Sequence, residues 1–444
     1  MQPSLKILIA LAFAGSALGA HAADLLQVYR DAASYDAQYA SARAARDAGL
    51  EKLPQGRAGL MPTIGLSANT TWNDIESTSR TSPPINRSAE YNSNGWNVSL
   101  SQPLFRWQNW VGYKQSELAA ALAEMQFAQA SQDLIVRVTQ AYFDVLLAQE
   151  TLATAQAQKI AIAEQLEAAK RSFEVGTATI TDTHEAQARY DLAVATEIAA
   201  ENDLAVKRQT LRTVTGTEPD NLKGLRLGVQ IGSPQPADIG QWVSNAETGN
   251  IGVQIAQTNF DVAGREIERQ RAGHYPTLDL VASHGRSAAG ASLSTTTGAG
   301  SDTKSSTIGL QLAVPLFAGG AVSSKEREAA ALNEKARADL DNARRQAQLA
   351  ARQAYLGVNA GLAQVKALEA GVASSQLAVE SNKLGYEVGV RINIDVLNAQ
   401  SQLFDTRQKL AKARLDTLIA QLKLKAAAGT LTEADLASIN ALLE

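Results

Sequence analysis

Apolar and polar residues alternate with a period of two in four short stretches of the chain. Ile64, Leu66, Ala68, Thr70 and Trp72 alternate with Thr63, Gly65, Ser67, Asn69 and Thr71. Trp96, Val98 and Leu100 alternate with Asn97, Ser99 and Ser101. Leu278, Leu280 and Ala282 do so with Asp279, Val281 and Ser283. Ile308, Leu310, Leu312 and Val314 do so with Thr307, Gly309, Gln311 and Ala313. Successive side chains of a strand point to opposite faces, so each stretch predicts a strand with one apolar and one polar face. The strands are expected at about 62–72, 91–103, 276–288 and 307–315. Polar loops, 73–90 and 289–306, join them in pairs.

Between the strands the period changes. Leu332, Ala336, Leu340, Ala343, Ala347 and Ala354 step by three, four or seven, as do Leu118, Leu122, Met125, Ile135, Val138, Tyr142 and Val145 with small departures. This spacing is close to 3.5 and predicts helices packed on one another as coiled coils. Residues 105–174 carry no Pro and predict one helix of roughly 100 Å at 1.5 Å per residue. Val175-Gly176-Thr177 breaks it and 182–214 returns, giving a hairpin over 105–215. A second hairpin is expected over 319–428, broken at Gly389. Single helices are expected at 23–60 and 251–272.

The chain reads as a tandem duplication. Phe173-Glu174-Val175-Gly176 recurs as Tyr386-Glu387-Val388-Gly389, Asp182 as Asp395, Ala186-Gln187 as Ala399-Gln400 and Gly216 as Gly429. Gln102-Pro103-Leu104-Phe105 recurs as Val314-Pro315-Leu316-Phe317, and Pro62-Thr63 as Pro276-Thr277. These matches keep one order at a nearly constant offset. They divide the chain into a first copy over 23–216, a connecting segment over 217–250, a second copy over 251–429 and a tail over 430–444.

Residues 1–22 have Lys6, a short apolar run over 7–14 and Ala20-His21-Ala22, the pattern of a cleaved export signal. No later run is long and apolar enough for a membrane helix, so any crossing must be by strands. Trp72, Tyr91, Trp96, Trp107 and Trp110 lie near strand ends, as aromatics at a lipid interface do. A soluble sandwich is the other home for such strands, and export without further strands to cover the apolar face argues for lipid. Four strands cannot close a barrel. An open sheet in lipid would strand backbone groups at several kcal/mol each, so other subunits must complete it.

Composition narrows the function. Of 444 residues none is Cys, which excludes disulfides, Cys-ligated metals and thiol nucleophiles. The net charge of −4 gives no basic field for nucleic acid. About 80 Ala and 5% aromatics suit close-packed long helices better than a thick globular core. His184-Glu185 begins a zinc-protease-like stretch, but Ala188 stands where the second His is needed. His184, His274 and His284 are scattered, and no phosphate-binding or nucleophile motif is present. No enzyme, metal or cofactor is expected.

The layout resembles the TolC family of outer-membrane efflux proteins over nearly the whole mature chain. The most specific stretch is Gly385-Tyr386-Glu387-Val388-Gly389-Val390-Arg391-Ile392-Asn393-Ile394-Asp395-Val396-Leu397-Asn398-Ala399, followed by Gly429-Thr430-Leu431. The resemblance implies a mixed α and β membrane protein in the Gram-negative outer membrane, reaching into the periplasm. It implies a homotrimer whose protomers each give four strands to one twelve-stranded barrel, continued by a helical tunnel and a small mixed equatorial region. It further implies a passive exit duct for efflux or type I secretion. A periplasmic adaptor and an inner-membrane pump of the RND, ABC or MFS type would work with it. The alternatives are a periplasmic adaptor or a structural coiled coil; the first would call for one hairpin, a β-rich body and an anchor, where two hairpins and no anchor are expected here, and the second does not explain four alternating strands.

Site residues follow from the same resemblance. Thr181, Asp182, Tyr386 and Arg391 match the links that close the periplasmic end, Tyr386 donating to Asp182 and Arg391 to Thr181. From composition alone these would be a solvated tip surface. Asp395 matches the first of two acidic rings in the constriction, and Asn398 occupies the second. One ring of carboxylates beside one of amides implies weaker cation selectivity and weaker block by multivalent cations than two acidic rings. Val175, Gly176, Thr177, Val388, Gly389 and Val390 match the tip turns that meet the adaptor, although turn formation alone accounts for the glycines. Pro62, Pro103, Pro276 and Pro315 fall where the family turns from strand to helix.

Overall fold

A computed structural model describes residues 23–217, 221–226, 228–291 and 299–444. The expected export signal lies outside the described residues, as do 292–298 of the second loop. The chain divides into two compact units: one of residues up to Arg43 with Phe127–Val253 and Arg344–Glu444, the other of Ala44–Gln126 and Gln254–Ala343. Among the described residues no helix is long and apolar enough to cross a membrane.

Helices and strands follow one another in the same order twice. First come α1 (Leu25–Tyr35), α2 (Ala37–Leu50), α3 (Lys52–Ala58), β1 (Thr63–Thr78), β2 (Asn86–Phe105), α4 (Trp107–Glu174) and α5 (Ile180–Thr215). After α6 (Ile239–Gly249) come α7 (Ile251–Arg271), β3 (Thr277–Ala291), β4 (Ala299–Ala313), α8 (Ala321–Glu387) and α9 (Asn393–Ala427). A short α10 (Glu433–Asn440) ends the chain. The long helices α4 and α8 have 68 and 67 residues and the returning α5 and α9 have 36 and 35, so the two hairpins match almost residue for residue.

The single helix expected over 23–60 is three. The backbone N–H of Asp36 still donates to Ala32, but its carboxylate turns to cap the next helix, accepting from Tyr39 N at 2.7 Å. Arg137 on α4 holds that carboxylate at 2.8 Å. The second break, at Glu51, follows from Pro54, which has no N–H to give Leu50.

The strands form one antiparallel sheet in the order β1-β2-β3-β4. Leu66 pairs with Val98, and Leu100 with Ala282, which pairs with Ile308. One face is thus apolar, and it is open: Leu66 is 73% and Ile308 78% exposed. The other face carries Ser67, Asn97, Ser99, Ser283 and Thr307. The strands run past the expected ends. Residues 73–78 pair with 86–91, and 299–306 pair with 284–291, so the turn joining β1 and β2 is much shorter than 73–90. The amide ladder continues there although the side chains no longer alternate.

Within this unit Arg106, just past β2, grips buried Asp279 of β3 through Nε at 2.8 Å and Nη2 at 2.5 Å. Pro62 and Pro276 lie just before β1 and β3, Pro315 just after β4, and Pro103 inside β2 at a register shift. Trp72 is 83% exposed, and Trp96, Trp107 and Trp110 are exposed as well. Of the α8 seam, Ala336, Leu340, Ala343, Ala347 and Ala354 are buried or half-buried, but Leu332 is exposed. There the seam runs through half-buried Asn333 and buried Ala329, one heptad before Ala336, so the 3.5 repeat holds and Leu332 stands one residue out of step with it.

The helical unit has its main core where α1 meets α10. Leu25, Val28, Tyr29 and Ala32 of α1 pack with Leu134, Val138, Tyr142 and Phe143 of α4, Leu418 and Leu422 of α9, and Leu436 and Ile439 of α10. The backbone N–H of Leu25 donates to Asn440 Oδ1 at 2.9 Å, and the Tyr29 hydroxyl donates to Glu433 at 3.0 Å. Tyr142, wholly buried, satisfies its hydroxyl by donating to the Lys223 carbonyl at 2.8 Å. A smaller core of Ile162, Leu166, Ala169, Ala186, Ala193 and Leu397 lies toward the hairpin tips.

Candidate functional site: the hairpin tips and the first turns of α5 and α9

The two tips are built alike. After α4 the chain reverses at Gly176 (φ 76°), and Thr177 N donates to Ser172 O at 2.8 Å. After α8 it reverses at Gly389 (φ 79°), and Val390 N donates to Gly385 O at 2.9 Å. A positive φ two residues past the helix closes the last carbonyls at little steric cost only with Gly. Val175, Val388 and Val390 are exposed on these turns, and so is Thr177. A Cβ at Gly385 would lie 2.7 Å from Cγ of Arg391, so the bare glycine lets that side chain fold back over the turn.

The turns lead into helices that start differently. On α5 the Thr179 hydroxyl accepts from Asp182 N at 3.3 Å, and the Asp182 carboxylate accepts from Thr179 N at 2.9 Å. This is a closed capping box. On α9 the N-cap is Ile392, which has no side-chain oxygen. The box cannot close through a hydroxyl there, the Ile392 N–H makes no bond to the Asp395 carboxylate among the described residues, and Arg391 approaches that carboxylate at 3.6 Å.

Of the four residues expected to link the tips, the structure joins none to another within the chain. Asp182 is engaged with Thr179, Arg391 is nearest Asp395, Thr181 is exposed, and the half-buried Tyr386 hydroxyl makes no bond to Asp182 among the described residues. What does tie the hairpins together is a bond the sequence reading missed. Gln165 Nε2 of α4 donates to Asn393 Oδ1 at the first position of α9, and Asn393 is only 3% exposed. Asn393 Nδ2 and, on α5, the Thr183 hydroxyl oxygen are buried without partners among the described residues. A second missed residue is Arg189, whose Nη2 donates to Asn398 Oδ1 at 3.0 Å. Its spacing was the available signal, since Arg189 falls two turns after Asp182 on one helix face. No group of acidic or His residues that could hold a metal occurs among the described residues.

A four-stranded sheet with one exposed apolar face, followed in each half of the chain by a long helical hairpin, defines an outer-membrane channel subunit. The sequence model described as "Outer membrane efflux protein" matches residues 28–217 and again 242–430. The chain is 34% identical to the outer membrane protein TolC of Escherichia coli, covering 99% of this chain and 89% of TolC. It is 35% identical to the alkaline protease secretion protein AprF of Pseudomonas aeruginosa, covering 94% and 86%. Its fold matches the solved CmeC outer membrane channel of Campylobacter jejuni with a TM-score of 0.79 at 16% identity, over 95% of this chain and 90% of that one. The chain belongs to the outer membrane efflux protein family. It is a channel component of the Gram-negative outer membrane, serving as an exit duct, and not an enzyme.

Proposed function

We propose that three copies of this chain close one barrel of twelve strands and one helical tunnel, a passive duct through which an inner-membrane pump and a periplasmic adaptor expel cargo. The observation that carries this is the sheet itself. Among the described residues its outer strands β1 and β4 have no second neighbour, and its apolar face is open. In lipid each open edge would leave about five backbone groups unpaired at several kcal/mol apiece. Pairing β4 of one copy with β1 of the next removes that cost all round the ring. The repeated order of elements, and a family model that matches once from 28 and again from 242, support a duplicated subunit that fills the ring evenly. Relatives named for protease secretion support secreted proteins among the cargo, beside the small solutes of efflux.

The periplasmic end is closed by weak links at the tips, in which Tyr386 donates to Asp182 and Arg391 to Thr181. Arg391 is exposed and its contact with Asp395 is long, so it is free to turn to a neighbouring copy. The adaptor meets the exposed turns around Gly176 and Gly389. Asp395 and Asn398, one turn apart on α9, line the constriction.

Purified protein in a planar bilayer tests the reading. A small conductance that rises in a Tyr386→Phe/Arg391→Ser variant is expected. An unchanged pore would move the gate elsewhere, and no conductance from folded protein would return the chain to the adaptor reading.

A further inference from the structure

Arg189 is placed where the constriction would carry a second acidic ring. It stands on α5, and its Nη2 donates to the Asn398 amide oxygen of α9 at 3.0 Å. Among the described residues no carboxylate is within ion-pair distance of it; Glu185, one turn nearer the tip, is exposed and makes no pair with it. Asp395 is the nearest acidic position on α9, and Arg391 already approaches that carboxylate at 3.6 Å.

We propose that Arg189 sets the ion selectivity of the duct, by holding a fixed positive charge on each copy at the level of Asn398. This rests on the constriction reading of Asp395 and Asn398 given above. A guanidinium stays protonated at any working pH and has five N–H donors, of which Asn398 takes one. A neutral amide anchors the guanidinium without cancelling its charge. An Asp at 398 would pair with it and neutralise both. Three guanidiniums in a narrow passage walled by low-dielectric protein offset three carboxylates that are already shared with Arg391. The passage then does not repel anionic cargo, as two stacked acidic rings would.

The test is the potassium-to-chloride permeability ratio, from the reversal potential of purified trimer in a salt gradient, together with block by a trivalent cation. Arg189→Gln, which keeps an amide donor for Asn398, is expected to raise the ratio severalfold and tighten the block. Arg189→Lys is expected to stay near wild type. Asn398→Asp neutralises Arg189 without truncating it and is expected to move the ratio as Arg189→Gln does, so the test survives a failure of either variant to assemble. Asp395→Asn serves as the control and is expected to lower the ratio. A shift in Asp395→Asn with none in Arg189→Gln or Asn398→Asp would overturn the proposal and leave the constriction in place. No shift in any variant would overturn the constriction reading itself. A Lys variant that behaves like Gln would show that charge is not the cause, and that too defeats the proposal.

Discussion

Asp182 and Asp395 occupy the same place in the two hairpins, third in the first turn of the returning helix, yet only Asp182 is tied to its own backbone. The difference lies three residues earlier. Thr179 offers a hydroxyl and completes a capping box with Asp182; Ile392 offers none. An N-cap hydroxyl is worth about 1 kcal/mol to a helix, so losing it at α9 costs little. In return the Asp395 carboxylate is left free to face Arg391 and solvent.

Ile392→Thr should therefore convert the second tip into a copy of the first. The new hydroxyl would accept from Asp395 N, the carboxylate would swing to the backbone N–H of the N-cap, and α9 would gain about 1 kcal/mol. If Asp395 lines the constriction, cation permeability should fall toward that of Asp395→Asn although no charge has been removed. Reversal potentials in a planar bilayer check this; a ratio equal to wild type would show that the carboxylate was never free.

Below the sheet, Glu266 of α7 gives the pH dependence a definite sign. Burial raises its pKa, but hydrogen bonds from Arg269, Gln115 and Gln270 outweigh that and hold it at about 2, against an ordinary 4.5. A carboxyl with a depressed folded pKa stabilises the fold above its unfolded pKa and loses that contribution as protons bind. The loss should fall between pH 4.5 and about 2. Glu266→Gln should flatten the acid arm of the thermal dissociation temperature over that window by lowering the neutral range, where the ionised carboxylate contributes, toward the acid value. An acid arm of unaltered slope would exclude Glu266 as a contributor.

The strand cores, both hairpins and both tip turns were legible because each follows from one local rule: alternation by two, a seam near 3.5, and a glycine that must take positive φ. The strand ends were not. Beyond Asn73 the paired residues are polar except Ile75 opposite Ala89, with Asp74 opposite Glu90 and Glu76 opposite Ser88, so alternation disappears while the amide ladder continues. The break at Asp36 was equally hidden, since a carboxylate in a helical run shows its capping role only when Arg137, a hundred residues on, arrives to hold it. Asp182, Asp395 and Asn398 come from spacing and resemblance, and their place in a gate is a proposal; Gln165 and Arg189 bond across hairpins, which the sequence did not show. Periodicity puts Arg189 on the face of Asp182 but does not name its partner on another helix.

Arg106 and Asp279 make the remaining prediction, at the foot of the sheet. Asp279 is buried at the start of β3, and Arg106 is the residue after β2; the pair is bidentate through Nε and Nη2. A fork matched to a carboxylate fixes angle as well as distance. The clamp therefore holds the foot of β3 to the end of β2, where Pro103 shifts the register. Arg106→Ala would leave the carboxylate buried without its cation. Loss of a partner from a buried pair costs about 3–5 kcal/mol, but the arginine is itself 42% exposed, so water can enter and about 2 kcal/mol is the better expectation. Arg106→Lys keeps the charge but not the fork and should recover only part of this. Arg106→Ala/Asp279→Asn removes the stranded charge and should recover more than the lysine does. Heat-modifiable mobility of the assembled trimer, followed against temperature, ranks the three. A double variant no more stable than Arg106→Ala would mean that packing at the strand foot, and not charge, is what the pair supplies.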